Sequence, residues 1–222
     1  GGGGGGGNGF NGAAGGRFGG GGGGGQSAGG GTSGGSAGFL GGSGGAGSSS
    51  VSRNGAGGGG GAAGGAIFQN GGSMTIVNVT IVNNTVTGGA GGTSSNGSSN
   101  GGAGSSRGGG IYNEAGTISL KNSIVAGNTA QQSSFADFDN NSAAFTTNGY
   151  NLFGSGTGAP TGGAQDQTIP PANVFTAALS VLGYYGGGTI PTHRLLTGGH
   201  AIDKGSAGVS VDQRNLTRPV DQ

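Results

Sequence analysis

The chain has 222 residues, of which 66 are glycine, and only 30% are hydrophobic and 7% charged. Because so little apolar material cannot fill a broad globular core, the composition predicts a thin or repetitive fold. Eight Lys and Arg nearly balance seven Asp and Glu, which gives a net charge of +1. That balance leaves no basic patch for phosphate groups and argues against a nucleic-acid partner.

The absence of cysteine excludes a disulfide framework and a thiolate metal site. No apolar run approaches the roughly 20 residues that a helix needs to cross a bilayer, so we expect no membrane-spanning segment in this sequence. The chain starts at Gly1 without the charged and apolar regions of a signal peptide. We therefore expect a fragment or a processed product, with any signal peptide or anchor outside it.

Residues 1–65 are almost entirely glycine with alanine, serine, asparagine and threonine. Fixing a backbone costs roughly 1 to 2 kcal/mol per residue, and glycine loses the most freedom. Side chains offset little of this cost, since the larger apolar residues are limited to Phe10, Phe18, Phe39, Leu40 and Val51. An ordered form of this segment therefore depends on backbone hydrogen bonds.

Three structures fit such a segment. The first is a bundle of polyproline-II-like glycine helices of the polyglycine-II type, with three residues per turn, about 3.1 Å rise and no internal hydrogen bonds. Glycine helices can pack closely enough to bond to their neighbours through N–H···O=C and Cα–H···O contacts. A silk-like sheet needs a period-two alternation that is poor here, and a flexible linker is the third alternative. We expect the bundle, packed beside or before the following domain.

The next segment contains an internal repeat, because residues 64–85 align without a gap on residues 108–129. Each copy holds three short β-prone pieces separated by Gly and Asn turns. This pattern is typical of coils in a parallel β-helix, where stacked neighbours create the core. Two unrelated hairpins are the alternative. The matching residues include Ile67 with Ile111, Phe68 with Tyr112, Met74 with Ile118 and Ile76 with Leu120.

Asparagines recur at the turns of the two repeats. Asn78 matches Asn122, and Asn84 matches Asn128. Stacked asparagines can bond through their amides from coil to coil, so we predict a structural ladder of these four residues.

Three further segments outside the two repeats also have predicted structural roles. Residues 87–107 form a glycine-rich insertion, which we expect to add a strand to the bundle. Residues 136–158 predict a third, irregular coil, and residues 159–222 a capping region with a short helix over 173–182. The proposed domains are thus 1–65, 66–158 and 159–222, in an all-β fold built on a short right-handed parallel β-helix. The residues expected to point inward in the third coil are Phe145, Tyr150, Leu152 and Phe153.

The GGAIF and GGGIY repeats are followed by NLFGSGTG, LGYYGGGTIPTHRLLTGGHAIDKGS and DQRNLTRP. With these motifs, residues 64–219 resemble bacterial surface proteins that have polymorphic-outer-membrane-type parallel β-helix repeats and a choice-of-anchor Q C-terminal region. Gly199, His200 and Asn215 depart from that pattern. The most specific matches are Thr192, His193, Leu195, Ala201, Ile202, Asp203, Gly205, Asp212, Gln213, Arg214, Arg218 and Pro219.

This resemblance implies an exported right-handed parallel β-helix, attached to a bacterial surface or released from it. Members of the family have no generally assigned catalytic activity. The resemblance also fits our expectation that Asp203, Asp212, Arg214 and Arg218 form an ion-pair network that fastens the cap and performs no chemistry.

Parallel β-helices also host polysaccharide lyases and hydrolases, whose sites need clustered carboxylates. We expect Glu114, opposite Asn70 of the first repeat, to be a solvated turn residue, and we predict no catalytic residues. Asp137 and Asp139 are calcium candidates because hard cations favour oxygen ligands, although loop-forming residues explain the DFDNN stretch as well. No zinc site or other cofactor is predicted, since the two histidines lack partners with a metal-ligand spacing.

About three coils leave strand edges and apolar stacking surface at the ends of the solenoid. The sequence therefore favours a non-enzymatic, extracellular or cell-surface structural protein that assembles with copies of itself, head to tail or laterally, into a fibre, filament or matrix. The first alternative is an adhesin or a carbohydrate- or ice-binding module, with extracellular carbohydrate as its partner. The second alternative is a β-helix polysaccharide lyase or hydrolase.

Overall fold

The structure is a computed structural model, and it describes residues 1–27, 30–48, 54–94, 99–141, 143–154, 158–186, 189–206, 210–211 and 217. The chain forms two compact units. The first, which we call the glycine unit, comprises residues 1–63, 86–107 and 130–133. The second, which we call the strand unit, comprises residues 64–85, 108–129 and 134–222.

The glycine unit is held together by main-chain hydrogen bonds between distant segments. No described residue in 1–61 or 87–105 belongs to a helix or a strand. Donors and acceptors nevertheless advance together in steps of three residues, as in the bonds from Gly3 to Gly20, from Gly6 to Gly23 and from Gly9 to Gln26, with N···O distances of 2.6 to 2.8 Å. This spacing brings every third N–H of a segment to the same neighbour.

Residues 19–25 lie at the centre of this network and are buried, although all of them are glycine. They accept or donate bonds with surrounding segments, including the bonds from Gly35 to Gly22, from Gly58 to Gly21 and from Gly24 to Gly45. The segments approach so closely that a Cβ on Gly22 would clash with the carbonyl oxygen of Gly4. Close packing of bare backbone therefore takes the place of a side-chain core here.

The glycine-rich insertion belongs to the same unit. Gly59 donates to Gly102 at 2.9 Å, and Gly89 donates to Gly60 at 2.7 Å. In the sequence, Gly89 precedes residues 95–98 and Gly102 follows them. The insertion thus adds two further segments to the network, one from each side of that stretch of sequence.

The strands are short apart from two long ones that correspond in the two repeats. In chain order they are β1 (Ala62–Ala63), β2 (Ile67–Val77), β3 (Thr80–Val82), β4 (Thr85–Val86), β5 (Ser106–Arg107), β6 (Ile111–Lys121), β7 (Ile124–Ala126), β8 (Thr129–Ala130), β9 (Phe138–Asn140), β10 (Ala144–Thr147), β11 (Leu152–Gly154) and β12 (Gln167–Ile169).

The expected all-β class with parallel strands is confirmed, because the described sheets contain parallel pairs throughout. One sheet has the order β10-β6-β2, and β9 also pairs with β6. A second has the order β12-β11-β7-β3, and short pairs join β1 with β5 and β4 with β8. Equivalent strands of successive repeats therefore lie side by side.

The register follows the gapless alignment at both ends of β2 but not in its middle. Ile67 pairs with Ile111 and Met74 with Ile118, whereas Asn70 pairs with Ala115. The corner of the first repeat uses two glycines with positive φ, Gly71 and Gly72, and the second repeat uses only Gly116. The second repeat therefore accommodates an extra residue, Glu114, before the corner.

The expectation that Glu114 is a solvated turn residue opposite Asn70 is wrong. The side chain of Glu114 is buried, and its Oε1 accepts a hydrogen bond from Asn141 Nδ2 at 2.6 Å. The shift in register displaces Glu114 from the position opposite Asn70, which the alignment could not foresee.

The strand unit has a side-chain core where the inward residues of successive repeats meet. Burying these apolar side chains stabilises the unit through the hydrophobic effect. The main cluster consists of Ile76, Ile81, Ile111, Ile118, Leu120, Val125, Phe138 and Phe153. A second cluster consists of Ala126, Leu152, Ile169, Val174, Ala178 and Leu179.

The segment predicted as a third coil supplies β9, β10 and β11 to the same sheets. Leu152 and Phe153 are buried as expected, and Phe145 is partly buried against the main cluster. Tyr150 is also only partly buried, and its φ of 63° places it in a left-handed turn. The strand β12 continues the sheet beyond residue 158, so the boundary expected there does not separate compact units.

The helix predicted over 173–182 is shorter than expected. A 3₁₀ turn at Pro171–Asn173 leads into a single turn of helix, α1 (Val174–Ala177). The chain then becomes extended, because Leu179 forms an antiparallel bridge with Leu195. A third short turn, of 3₁₀ type, covers Ser133–Phe135.

Candidate functional site

One polar column, which we call the Asn84 column, consists of Asn84, Asn128 and Asp137. Asn84 donates its backbone N–H and its Nδ2 to Oδ1 of Asn128, at 3.0 and 2.9 Å. Asn128 repeats this pattern toward Oδ1 of Asp137, at 2.9 and 2.8 Å. The predicted bond between Asn84 and Asn128 is therefore present, and the column continues into the third repeat on an aspartate.

A second polar column, which we call the Asn151 column, consists of Ser123, Asn151 and Asp166. Ser123 donates its backbone N–H to Oδ1 of Asn151 at 2.9 Å. Asn151 donates its N–H and its Nδ2 to Oδ1 of Asp166, both at 2.9 Å. This column was not predicted from the sequence. The signal that could have revealed it is that Asn151 and Asp166 stand at matching positions, each directly before a strand.

Gln69 and Asn113 form a third buried polar pair, at matching positions of β2 and β6. The Nε2 of Gln69 donates to the carbonyl of Gly72 at 3.1 Å, and the Nδ2 of Asn113 donates to the carbonyl of Ala144 at 3.0 Å. These amides satisfy backbone carbonyls around the corner of each repeat. Neither residue was predicted from the sequence to have a role.

The predicted ladder bond between Asn78 and Asn122 is wrong. The amide of Asn122 instead bonds Ser206, which it contacts through Oδ1 and Nδ2 at 2.9 and 3.2 Å. Asn78 and Asn122 have φ values of 57° and 50°. Asparagine tolerates this left-handed conformation better than most residues, so the two asparagines recur because of their backbone geometry.

The calcium candidates Asp137 and Asp139 are both buried. Oδ1 of Asp137 accepts two bonds from Asn128, and its Oδ2 lies against Gly154. Burial raises the pKa of Asp137, while hydrogen bonds from Asn128 and Gly127 act in the opposite direction. A carboxylate occupied in this way serves as an acceptor for the protein's own amides.

Within the described ranges, no group of three or more His, Cys, Asp or Glu side chains could hold a metal ion. Both histidines contact backbone carbonyls, since Nδ1 of His193 lies 2.8 Å from the oxygen of Ser180 and Nδ1 of His200 lies 3.2 Å from that of Ala177. Of the acids considered for catalysis, Glu114 contacts Asn141 and Asp137 contacts Asn128.

The predicted cap network lies largely beyond what the structure describes. Asp203 is exposed, with a φ of 55°. Asp212, Arg214 and Arg218 lie outside the described residues, so the network stays a prediction.

One shallow depression of about 450 Å³ lies on the surface of the strand unit. His193 stands beside Phe175 there, with ring centroids 5.5 Å apart. Two exposed apolar residues, Val181 and Leu182, form part of the wall. The lining consists of Val82, Asn83, Phe175, Val181, Leu182 and His193.

Comparison of the chain with protein-family models, with curated proteins and with solved structures finds no match. In the parts of the chain that the structure covers, no helix combines the length and the apolar character required to cross a membrane.

Proposed function

We propose that this chain is a non-enzymatic structural protein of a bacterial surface, which assembles with copies of itself outside the cell into a fibre, filament or matrix. The observation that carries this proposal is the glycine unit, where backbone bonds at three-residue spacing replace a side-chain core. A polyproline-II-like glycine helix has three residues per turn. We infer a polyglycine-II-type bundle from the match between the two spacings.

We also infer that the strand unit is a short right-handed parallel β-helix. The support is the pairing of each strand with its equivalent in the next repeat, from Thr80 opposite Ile124 in β3 and β7 to Leu152 opposite Ile124 in β11. Inward apolar residues and polar columns continue from repeat to repeat in the same way. Such stacked units provide stiffness, which suits a structural material.

The placement outside a bacterial cell depends on the resemblance of residues 64–219 to bacterial surface proteins with a choice-of-anchor Q region. The polar columns agree with a structural role, because their carboxylates and amides bond to one another. A site that is filled by the protein's own groups offers little to a substrate.

Electron microscopy and analytical ultracentrifugation of the purified chain test this proposal. We expect particles larger than one chain, which grow in abundance with concentration. A protein that stays monomeric at the highest concentration reached would contradict the assembly role.

A second candidate function, as an adhesin for extracellular carbohydrate, is favoured by the depression beside Phe175 and His193. Its aromatic rings and the amide of Asn83 match the stacking and hydrogen-bonding needs of a sugar. A glycan array tests it with Leu182→Ser, which alters the wall, and with Ile190→Ser as a control. Both residues are exposed, and Ile190 does not line the depression. Binding that Leu182→Ser abolishes and Ile190→Ser retains would favour the adhesin.

A further inference from the structure

The first repeat ends in a free strand edge. β2 is the terminal strand of its sheet, and no described strand pairs with its outer side. Asn78, next to the end of β2, donates its N–H toward β6, to the carbonyl of Lys121 at 3.2 Å. Because backbone groups of a strand alternate between its two sides, the N–H groups of Thr75 and Val77 point toward the free edge.

This edge lacks the features that usually prevent strand pairing. Residues 64–85 contain no charged residue and no proline, and the part of β2 that follows its glycine corner, Ser73–Val77, pairs with β6 in unbroken register. Natural edges are commonly protected by lysine, by proline or by short strands. Apolar side chains are also exposed at this end, with 43% of Phe68, 43% of Val77 and 39% of Val79 accessible.

The opposite end of the stack is protected. The edge strand β12 has only 3 residues, and it lies between Asp166 and two prolines, Pro170 and Pro171. The Asn151 column terminates there on the carboxylate of Asp166, and the Asn84 column terminates on the carboxylate of Asp137, just before β9. An ionised carboxylate accepts hydrogen bonds and has none to donate, so neither column can be extended from that side by the same pattern.

We propose that the free edge of β2 binds the same edge of a second copy of this chain, with Ser73–Val77 paired antiparallel across a two-fold axis at Thr75. This inference deepens the proposed function and rests on it. A self-complementary contact needs an uncharged edge, since a two-fold axis places each residue's charge near its own copy. The inner side of β2 already forms a regular pairing over this segment, from Ser73 opposite Thr117 to Val77 opposite Lys121 of β6.

The arrangement has a consequence for assembly. An isologous contact closes on itself and produces a dimer, whereas a head-to-tail contact continues into a filament. The dimer would therefore be the building block, and growth into a fibre would use a second contact elsewhere on the surface.

The first test is sedimentation of the purified chain and of two lysine variants. Thr75→Lys places two like charges opposite each other at the two-fold axis and adds an edge lysine. Ser119→Lys is the matched control, because Ser119 pairs with Thr75 from the adjacent strand β6, where both edges are covered. We expect the parent and Ser119→Lys to contain dimers and Thr75→Lys to lose them, with unchanged circular dichroism in all three.

The second test is a cross-link. The chain contains no cysteine, so Thr75→Cys introduces a single thiol. Directly opposite residues of an antiparallel pair lie within reach of a disulfide. With oxidised glutathione we expect a covalent dimer from Thr75→Cys and none from Ser119→Cys.

The outcomes separate the inference from the proposed function. Assemblies that persist in Thr75→Lys, or Thr75→Cys chains that do not cross-link within them, would overturn the two-fold contact and leave the assembly role standing. A parent protein without any assembly would overturn both. Loss of assembly in Thr75→Lys together with the covalent dimer would support both.

Discussion

Asn128 donates both its backbone N–H and its side-chain amide to one carboxylate oxygen of Asp137, at 2.9 and 2.8 Å. The same double donation joins Asn84 to Asn128 and Asn151 to Asp166. In each link, one side-chain oxygen accepts hydrogen bonds from both the backbone and the side chain of an asparagine in another turn. Each link therefore holds the backbone of that turn and the side chain of its asparagine at the same time. The columns therefore set the spacing of the turns as well as satisfying buried polar groups.

Asp137→Ala is expected to destabilise the protein by about 3 kcal/mol, since it leaves two buried donors of Asn128 without their acceptor. Urea unfolding followed by circular dichroism measures the loss. Asp203→Ala is the control, because Asp203 is exposed. Equal effects of the two substitutions would contradict the role of Asp137 at the end of the Asn84 column.

The raised pKa of Asp137 also predicts a dependence of stability on pH. Burial raises the pKa of Asp137 in the native state, so the native state holds this proton more tightly than the unfolded state does. Stability from this group is therefore greatest at low pH and falls as the pH rises from the unfolded pKa to the native one. The expected result is that the parent loses stability relative to Asp137→Asn over this window.

The measurement compares free energies of unfolding of the parent and Asp137→Asn from about pH 3 to about pH 7. Asp203→Asn provides the baseline for an exposed carboxyl group. If the difference between parent and Asp137→Asn were constant with pH, or grew in the opposite direction, the carboxyl would not have the raised pKa.

The interior of the column should be more sensitive to charge than the surface beside it. Asn128→Asp places a second carboxylate against Asp137 in a buried site and removes the Nδ2 donor, which we expect to destabilise the protein by about 3 to 5 kcal/mol. Asn83→Asp is the matched control, because Asn83 is exposed and has a φ of 58° that aspartate tolerates. Thermal unfolding of both variants provides the comparison, and similar midpoints would argue against the column.

The alignment of the two repeats predicted the parallel strands, the inward apolar residues and the bond between Asn84 and Asn128. It could not predict Asp137 as the next member, because Asp137 comes from the start of the third repeat, one residue before Phe138 pairs with Ile111, and not from the position that matches Asn84 and Asn128. The assignment of Asn78 and Asn122 failed for a different reason. Amide ladders and left-handed turns both select asparagine, so recurrence alone does not distinguish them.

Glu114 shows a second limit of the alignment. A gapless match of residues 64–85 and 108–129 conceals two irregularities that cancel, an extra residue at Glu114 and one fewer glycine at the corner. Strand register and burial in this region depend on backbone geometry that residue types report only weakly. For the glycine segments, composition indicated backbone bonding, but not which segments bond to each other.

The packing of the glycine unit predicts that alanine has different effects on stability at two adjacent residues, Gly57 and Gly58. A Cβ on Gly58 would clash with the carbonyl of Gly42, whereas a Cβ on Gly57 would have only an ordinary contact, 3.8 Å from the oxygen of Gly21. We expect Gly58→Ala to destabilise the glycine unit by about 1 to 3 kcal/mol. Gly57→Ala is expected to be neutral or to stabilise it by up to about 1 kcal/mol, because alanine restricts the unfolded chain.

Hydrogen exchange of the glycine amides, read by NMR, measures this contrast within the glycine unit. Faster exchange throughout residues 1–61 in Gly58→Ala, with unchanged exchange in Gly57→Ala, is the expected result. If both variants exchanged like the parent, the close approach of the segments would not be needed for their order.

Substitutions at Asn78 test whether its backbone conformation or its side-chain amide matters for stability. Glycine adopts positive φ without strain, whereas a β-branched residue does so at a cost of roughly 1 to 2 kcal/mol. Since Asn78 has a φ of 57°, we expect Asn78→Val to lower the free energy of unfolding by that amount and Asn78→Gly to change it by less than about 0.5 kcal/mol. A ladder amide would behave differently, because both substitutions remove the amide and would destabilise the protein alike. Denaturant unfolding of the two variants, beside the same pair at Asn84, distinguishes these roles, and at Asn84 we expect both substitutions to be destabilising.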